Sequence, residues 1–256
     1  MKILVTNDDG VDSAGIQELI KALEAKEENQ VVAVAPDKEQ SATGHAITLY
    51  RPLRVKEMNY RDIESKFLAV DGTPADCVKL GVEAILDEEP DLVISGINRG
   101  PNLGCDVLYS GTVSAAIEGL LMGIPAVAVS LVSYKDWNFK YAARFVSELM
   151  DSFKQSQLRE KTILNINIPP LTKEELKGVK VTKLGNRSYT NLFDKRVDPR
   201  GETYYWLAGD IVEEENDDES DVAAVNDDYI SITPIHLNLT DFSVIDKLKE
   251  ENLELF

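Results

Sequence analysis

Histidine and cysteine are scarce, with two of each in 256 residues. Cys77 and Cys105 have no metal-type spacing and no secreted context, so both are expected to be reduced, partly buried small residues. Positive charge is short too: 27 basic against 45 acidic residues give a net charge of −18. Polyanion binding rests on clustered Lys and Arg, so this balance argues against long nucleic acid as a partner. It leaves room for a small anion, because a cation and a helix N-terminus can reverse the field locally. Long hydrophobic runs are missing as well. The longest, Gly119 to Val132, is interrupted by Gly123 and Pro125 and is too short to span a bilayer. The charged start precedes only four apolar or near-apolar residues before Asn7, which is no secretory leader. A cytoplasmic protein with no membrane partner is the expectation.

Hydrophobic residues make up 43% of the chain, enough for a packed core in one large domain or one domain with a substantial appendage. Strand candidates are Ile3–Thr6, Val31–Ala35, Phe67–Val70, Leu92–Ser95, Ala126–Val129 and Ile163–Ile168. Most are continuous Val- and Ile-rich runs, as expected of parallel strands covered on both faces. Helical periodicity falls on Ile16–Leu23, Leu80–Leu86, Val113–Met122 and Tyr141–Met150. This rhythm predicts an α/β fold: a Rossmann-like, doubly wound, mainly parallel sheet. After Pro169–Pro170 the pattern changes. Val179–Leu184, Thr203–Leu207 and Tyr229–Pro234 read as β segments without intervening helices, and 246–256 as a short terminal helix. The division expected is an α/β metal- and phosphate-binding core over 1–170 and a β-rich extension over 171–256. Seven of the nine residues Glu213 to Asp221 are acidic, which reads as a solvated loop.

The first apolar run ends on two adjacent carboxylates, Asp8 and Asp9, before Gly10. Their repulsion has two solutions. A divalent cation would offset it, since hard cations take carboxylate oxygen; alternatively, Asp9 or Asp12 merely caps the next helix. In an open parallel sheet, ligands bind outside the carboxyl ends of the strands. The segments placed there are Asn7–Gly10, Ala35–His45, Asp71–Asp76 and Ser95–Asn102. Four loops loaded with oxygen donors and glycine at one edge favour the metal. Ser110-Gly111-Thr112 precedes an amphipathic helix, and its hydroxyls and backbone N–H groups suit a phosphate. Alone that triplet reads as an ordinary cap; beside an acidic pair it points to phosphoryl chemistry. His45 could protonate a leaving oxygen, contact substrate or face solvent. His236 has no chemical company. Asp71 reads as structural, while Asp76 and Arg99 stay ambiguous.

These segments together resemble the SurE family (survival protein E) of metal-dependent nucleotidases. The matching stretches are ILVTNDDG at 3–10, APDKEQSATGHAITL at 35–49, GTPADCVKL at 72–80, SGINRGPNLG at 95–104, YSGTVSAAIEG at 109–119 and SITPIHLNLT at 231–240. The resemblance implies one divalent ion per subunit, Mg²⁺ or Mn²⁺, held by Asp8, Asp9, Ser41 and Asn98, an all-oxygen set. It implies phosphate contacts from Asn98, Ser110, Gly111 and Thr112, with Gly44 and His45 nearby as substrate-loop candidates. The implied reaction is hydrolysis of nucleoside monophosphates, 5′ or 3′, with short polyphosphate as a further substrate of some members. Attack by water with Asp8 taking the proton is preferred over a covalent aspartyl-phosphate at Asp8. Homodimers or homotetramers, with the C-terminal extension crossing the interface, are the implied assemblies.

Three rival readings each lack a residue or motif they require. A haloacid-dehalogenase-type phosphatase needs an aspartate two residues before Asp71, where this chain has Ala69. A signalling receiver domain needs a lysine after the fifth strand, where it reads Val129-Ser130-Leu131-Val132. A dinucleotide-binding oxidoreductase needs a G-x-G-x-x-G after the first strand, which is lacking. A nucleotide-binding module without turnover stays open.

Overall fold

The computed structural model describes residues 1–135, 138–153, 162–190, 193–212 and 215–250. In chain order the first part holds β1 (Lys2–Thr6), α1 (Ala14–Glu24), β2 (Gln30–Pro36), β3 (Val55–Met58), β4 (Lys66–Val70) and α2 (Pro74–Leu80). It continues with β5 (Leu92–Arg99), α3 (Gly111–Leu121), β6 (Ala126–Leu131), α4 (Lys140–Phe153) and β7 (Thr162–Ile168). Next come β8 (Gly178–Val181), β9 (Ser188–Thr190), β10 (Phe193–Val197), β11 (Thr203–Leu207), β12 (Asp210–Val212), α5 (Asp221–Asn226), β13 (Tyr229–His236) and α6 (Phe242–Glu250).

Nine strands form one sheet in the order β3-β4-β2-β1-β5-β6-β7-β13-β8. All six strands read from the apolar runs pair in parallel with one another. Their side chains alternate between two cores. Ile3, Val5 and Ile94 pack with α1 and α4 on one face, and Leu4, Val34 and Val93 pack with α2 and α3 on the other. Continuous apolar runs are what burial on both faces requires. The doubly wound α/β fold is therefore the one observed.

The departures have local causes. β3 is an antiparallel edge strand of mostly exposed residues, so no apolar run marks it. The second helix starts at Pro74 rather than Leu80. Thr73 accepts from the Asp76 amide while Asp76 accepts from the Thr73 amide, a reciprocal cap ahead of a proline in the first turn. It runs on into a π-helical turn, Gly81–Ile85. In the C-terminal part, α5 interrupts the expected run of strands; at six residues it is too short to show periodicity, but Ser220 caps it. The last helix begins earlier than expected, at Phe242, and 251–256 lie outside the described residues.

The acidic run is only partly solvated. Glu215 and Asp217–Glu219 are exposed, Glu213 and Glu214 lie outside the described residues, and Asp221 is fully buried. Its carboxylate accepts from Gly104 N–H at 2.9 Å and from Gly185 and Val222 N–H at 2.8 Å each. Burial raises its pKa against the pull of those donors. Asp221 thereby ties the loop after β5 to the segment after β8. A Cβ on Gly104 would lie 2.6 Å from the Gly185 carbonyl oxygen, which is why that loop needs glycine. Neither cysteine is in a disulfide. Cys77 is buried, but Cys105, expected to be partly buried, is exposed on the short helical turn after Leu103.

Candidate functional site

The chain steps outward from β1 to β2 and β4, then returns to β5 on the other side of β1. The ends of β1 and β5 therefore flank the point where winding reverses, where such sheets leave a crevice. Asp8 and Asp9 follow β1, and Asn98 and Arg99 end β5.

Three loops interlock there. Buried Asn7 donates through Nδ2 to Gly10 O at 2.9 Å and Ser13 Oγ at 2.7 Å, which folds the turn after β1. Gly10 has φ +94°, and a Cβ on it would sit 3.2 Å from the Lys38 carbonyl carbon. Gln40 N–H donates to Asp8 O at 2.7 Å, closing the β2 loop onto the same turn. A Cβ at Gly15 would lie 2.1 Å from Ile97 O, so the start of α1 presses directly on β5. Behind β5, Asn102 is bracketed by Asn165, Asn167 and Ser130, which anchors the loop to β6 and β7.

Asp8 is 3% exposed. Thr112 donates to both of its oxygens, the hydroxyl to Oδ1 at 2.5 Å and the backbone N–H to Oδ2 at 3.0 Å. Asp9 Oδ2 accepts from Arg99 N–H at 3.0 Å. Burial pushes both carboxyls up, and the Asp8 charge adds to the rise at Asp9, which reaches about 6 from an ordinary 3.8. Glu39 raises both further. Sequence reasoning passed over Glu39, although its place in the β2 loop was a signal. Arg99, ambiguous in the sequence, acts on Asp9 twice: its backbone N–H donates to Oδ2, which no residue type announces, and its guanidinium charge pulls the Asp9 carboxyl down.

Asn98, half-buried at the end of β5, donates through Nδ2 to Gly100 O at 2.9 Å, a bond that does not use its amide oxygen. Ser110 caps α3, its Oγ accepting from Val113 N–H at 3.1 Å. A Cβ on Gly111 would lie 2.8 Å from Asp8 Cβ and 2.9 Å from Asp8 Oδ2, so the helix N-terminus touches the carboxylate. The fold thus gathers Asp8, Asp9, Asn98, Ser110, Gly111 and Thr112 in one place. Ser41 is on the adjacent loop, exposed, with its hydroxyl turned to Glu39 Oε1 at 2.8 Å. Gly44 is held by Tyr109 O at 2.9 Å, just before the cap. The His45 imidazole turns elsewhere: its Nε2 is 2.8 Å from Glu118 Oε2, and Glu118 also pairs with Lys79 at 3.2 Å. Glu118 is seven residues beyond Gly111, or about 10 Å along the helix axis. Of the ambiguous residues, Asp76 caps α2 and holds Thr48, and Asp71 orients the Arg54 loop.

The donor set suits a hard divalent cation: two adjacent carboxylates, Asp8 buried and Asp9 half-buried, an amide oxygen and a hydroxyl, all oxygen. Among the described residues no three His, Cys, Asp or Glu side chains converge on a metal position. A cation here would complete its shell with neutral oxygens.

The raised carboxyls have a pH signature. An acid whose pKa rises on folding keeps its proton in the folded state after the unfolded chain has lost it. The resulting stability is fully present below pH 3.8 and is lost as pH climbs through about 6. For Asp9 the loss is on the order of 3 kcal/mol. In EDTA, urea titrations of wild type and Asp9→Asn are expected to diverge by about that amount between pH 4 and 7, with the variant gaining. Parallel profiles for the two proteins would remove burial of Asp9 as the cause.

A family model described as Survival protein SurE matches residues 3–191. The chain is 56% identical over 251 residues to the 5′-nucleotidase SurE of Pelotomaculum thermopropionicum, covering 98% of this chain and 95% of that one. It is 49% identical over 252 residues to the 5′-nucleotidase SurE of Natranaerobius thermophilus, covering 97% of each. Among solved structures it resembles the SurE protein from Aquifex aeolicus, with a TM-score of 0.85 and 42% identity over 98% of this chain and 100% of that one.

Proposed function

Because the chain belongs to the survival protein SurE family, we propose that the Asp8–Asp9 crevice is the active centre of a divalent-metal-dependent nucleotidase. The nucleotidase class follows from full-length relatives named as 5′-nucleotidases. The observation that carries the site is the contact between buried Asp8 and the first residue of α3, Gly111. It sets a pair of carboxylates, which calls for a cation, against a helix N-terminus, which calls for an anion.

Asp8, Asp9, the Asn98 amide oxygen and Ser41 would hold Mg²⁺ or Mn²⁺, with Ser41 leaving Glu39 to do so. When bound, the cation neutralises charge developing on the phosphoryl oxygens. The Gly111 N–H and the Ser110 hydroxyl proton receive the phosphate, joined by the second Nδ2–H of Asn98. Thr112 occupies one lone pair on each Asp8 oxygen, and a carboxylate has about four. Asp8 therefore keeps capacity to take the proton of an attacking water, while Asp9 acts as a ligand only. His45, held by Glu118, orders the substrate loop in this reading.

The test is phosphate release from a panel of nucleoside 5′- and 3′-monophosphates and short polyphosphate, with Mg²⁺, Mn²⁺ or EDTA. Release from 5′-monophosphates that EDTA abolishes is expected. Metal-independent release would overturn the reading. Binding without release would indicate a non-catalytic module, and phosphate trapped on protein after rapid quench would indicate aspartyl-phosphate chemistry.

We further propose that the part of 171–256 outside the main sheet joins a second copy of this chain. β10 and β11 form a ribbon exposing Phe193, Val197, Tyr205, Trp206 and Leu207, a concentration of apolar surface that monomers rarely leave open. Sedimentation of the intact chain is expected to show a dimer or tetramer; a monomer at micromolar concentration would refute this. No helix among the described residues is long and apolar enough to cross a membrane, and we place the activity in the cytoplasm.

A further inference from the structure

We propose that Thr112 is a positioning residue for Asp8 rather than a phosphate ligand. The inference rests on the metal-site reading above and assigns the N-terminus of α3 two separate jobs.

The donors of that N-terminus can be followed one by one. Ser110 N–H goes to Asp106 O at 3.2 Å, Val113 N–H to Ser110 Oγ at 3.1 Å, and Ser114 N–H to Ser110 O at 3.1 Å. Thr112 spends its N–H on Asp8 Oδ2 and its hydroxyl proton on Asp8 Oδ1. Both Thr112 and Asp8 are buried, Thr112 completely, so neither donor has water as an alternative partner. A phosphate arriving at the helix is left the Gly111 N–H and the Ser110 hydroxyl proton.

Two donors from one residue to the two oxygens of one carboxylate fix the rotation of that carboxylate as well as its position. The lone pairs that Thr112 does not occupy are then held in one orientation, available to a cation. The close approach of Gly111 blocks a shift of the carboxylate toward the helix. Groups that orient a metal ligand without touching the metal are worth roughly 10- to 100-fold in affinity or activity.

Mn²⁺ binding to the metal-stripped protein, followed by loss of the free-ion EPR signal, reads the effect without turnover. Thr112→Val keeps the shape and backbone N–H but removes the hydroxyl. It is expected to raise the Mn²⁺ Kd about 10-fold or more and to lower kcat at saturating Mn²⁺. KM for a nucleoside monophosphate and Ki for inorganic phosphate are expected to stay within about threefold, and Thr112→Ser to restore wild-type affinity. Unchanged Mn²⁺ affinity in Thr112→Val, with raised KM and Ki, would overturn the proposal in favour of direct phosphate contact. If Thr112→Val does not fold, Thr112→Ser alone decides against the proposal by losing Mn²⁺ affinity despite keeping both donors. Wild-type protein that leaves the Mn²⁺ signal untouched would instead sink the metal site itself, a distinct outcome.

Discussion

Asp8→Asn is expected to cut nucleotide hydrolysis by roughly 10²- to 10⁴-fold, the range for removal of a positioned proton acceptor. Loss of a charged metal ligand adds to the fall. The substitution preserves shape, and the surroundings can accept it. The Thr112 N–H still finds the amide oxygen, and the Thr112 hydroxyl can rotate to accept from Nδ2. Burial raises the Asp8 carboxyl, so above the ordinary carboxylate range the folded state bears a cost of desolvating this group that asparagine does not impose. The metal-free variant should therefore be as stable as wild type, or more so, in urea denaturation at pH 7. Full activity in Asp8→Asn would remove Asp8 from the catalytic centre, and an unfolded variant would show that its charge serves the fold.

Gly111→Ala is expected to have nearly as large an effect with a single carbon. At an ordinary helix position this change stabilises by up to about 1 kcal/mol, because alanine is the better helix former. Here the new Cβ would fall 2.8 Å from Asp8 Cβ and 3.2 Å from Pro74 Cγ. The backbone at 111 is helical and Asp8 is locked by Thr112, so the strain must move either the helix or the carboxylate. A net destabilisation of about 1–3 kcal/mol is the usual result of overfilling a packed site. Activity should fall about 10²-fold or more, as displacements near 1 Å cost that much in an aligned centre. Steady-state kinetics and Mn²⁺ binding check both consequences. Activity within threefold of wild type would mean that Asp8 is free to move, against the close fit described.

The core strands were legible because burial on both faces demands unbroken Val and Ile, as in Ile3–Val5 and Val31–Ala35. β3 escaped because only one of its edges is paired and most of its side chains face water. α5 escaped because six residues cannot display a helical period. In the site, Asp8 and Asp9 stood out as charges ending an apolar run, an anomaly visible without a structure. Ser110 and Thr112 were visible as cap-type residues, but their division of labour was not. Which of them faces Asp8 depends on how the start of α3 meets the turn after β1, 104 residues away in sequence. The partnership of His45 with Glu118 spans 73 residues and left no trace in either segment.

The strand order carries a consequence for synthesis. Among the described residues β8 joins the sheet through β13 alone, and residues 182–228 separate the two. A nascent chain therefore completes β8 long before its partner exists, and β7 waits with an open edge until β13 emerges. During that interval the edge of β7 offers unpaired backbone to any passing strand, including the same strand on a neighbouring ribosome. Closure has to await His236, so β13 acts as the fastener of the sheet. Emergence of that strand, rather than growth of the core before it, sets when the open edge becomes safe from its own copies.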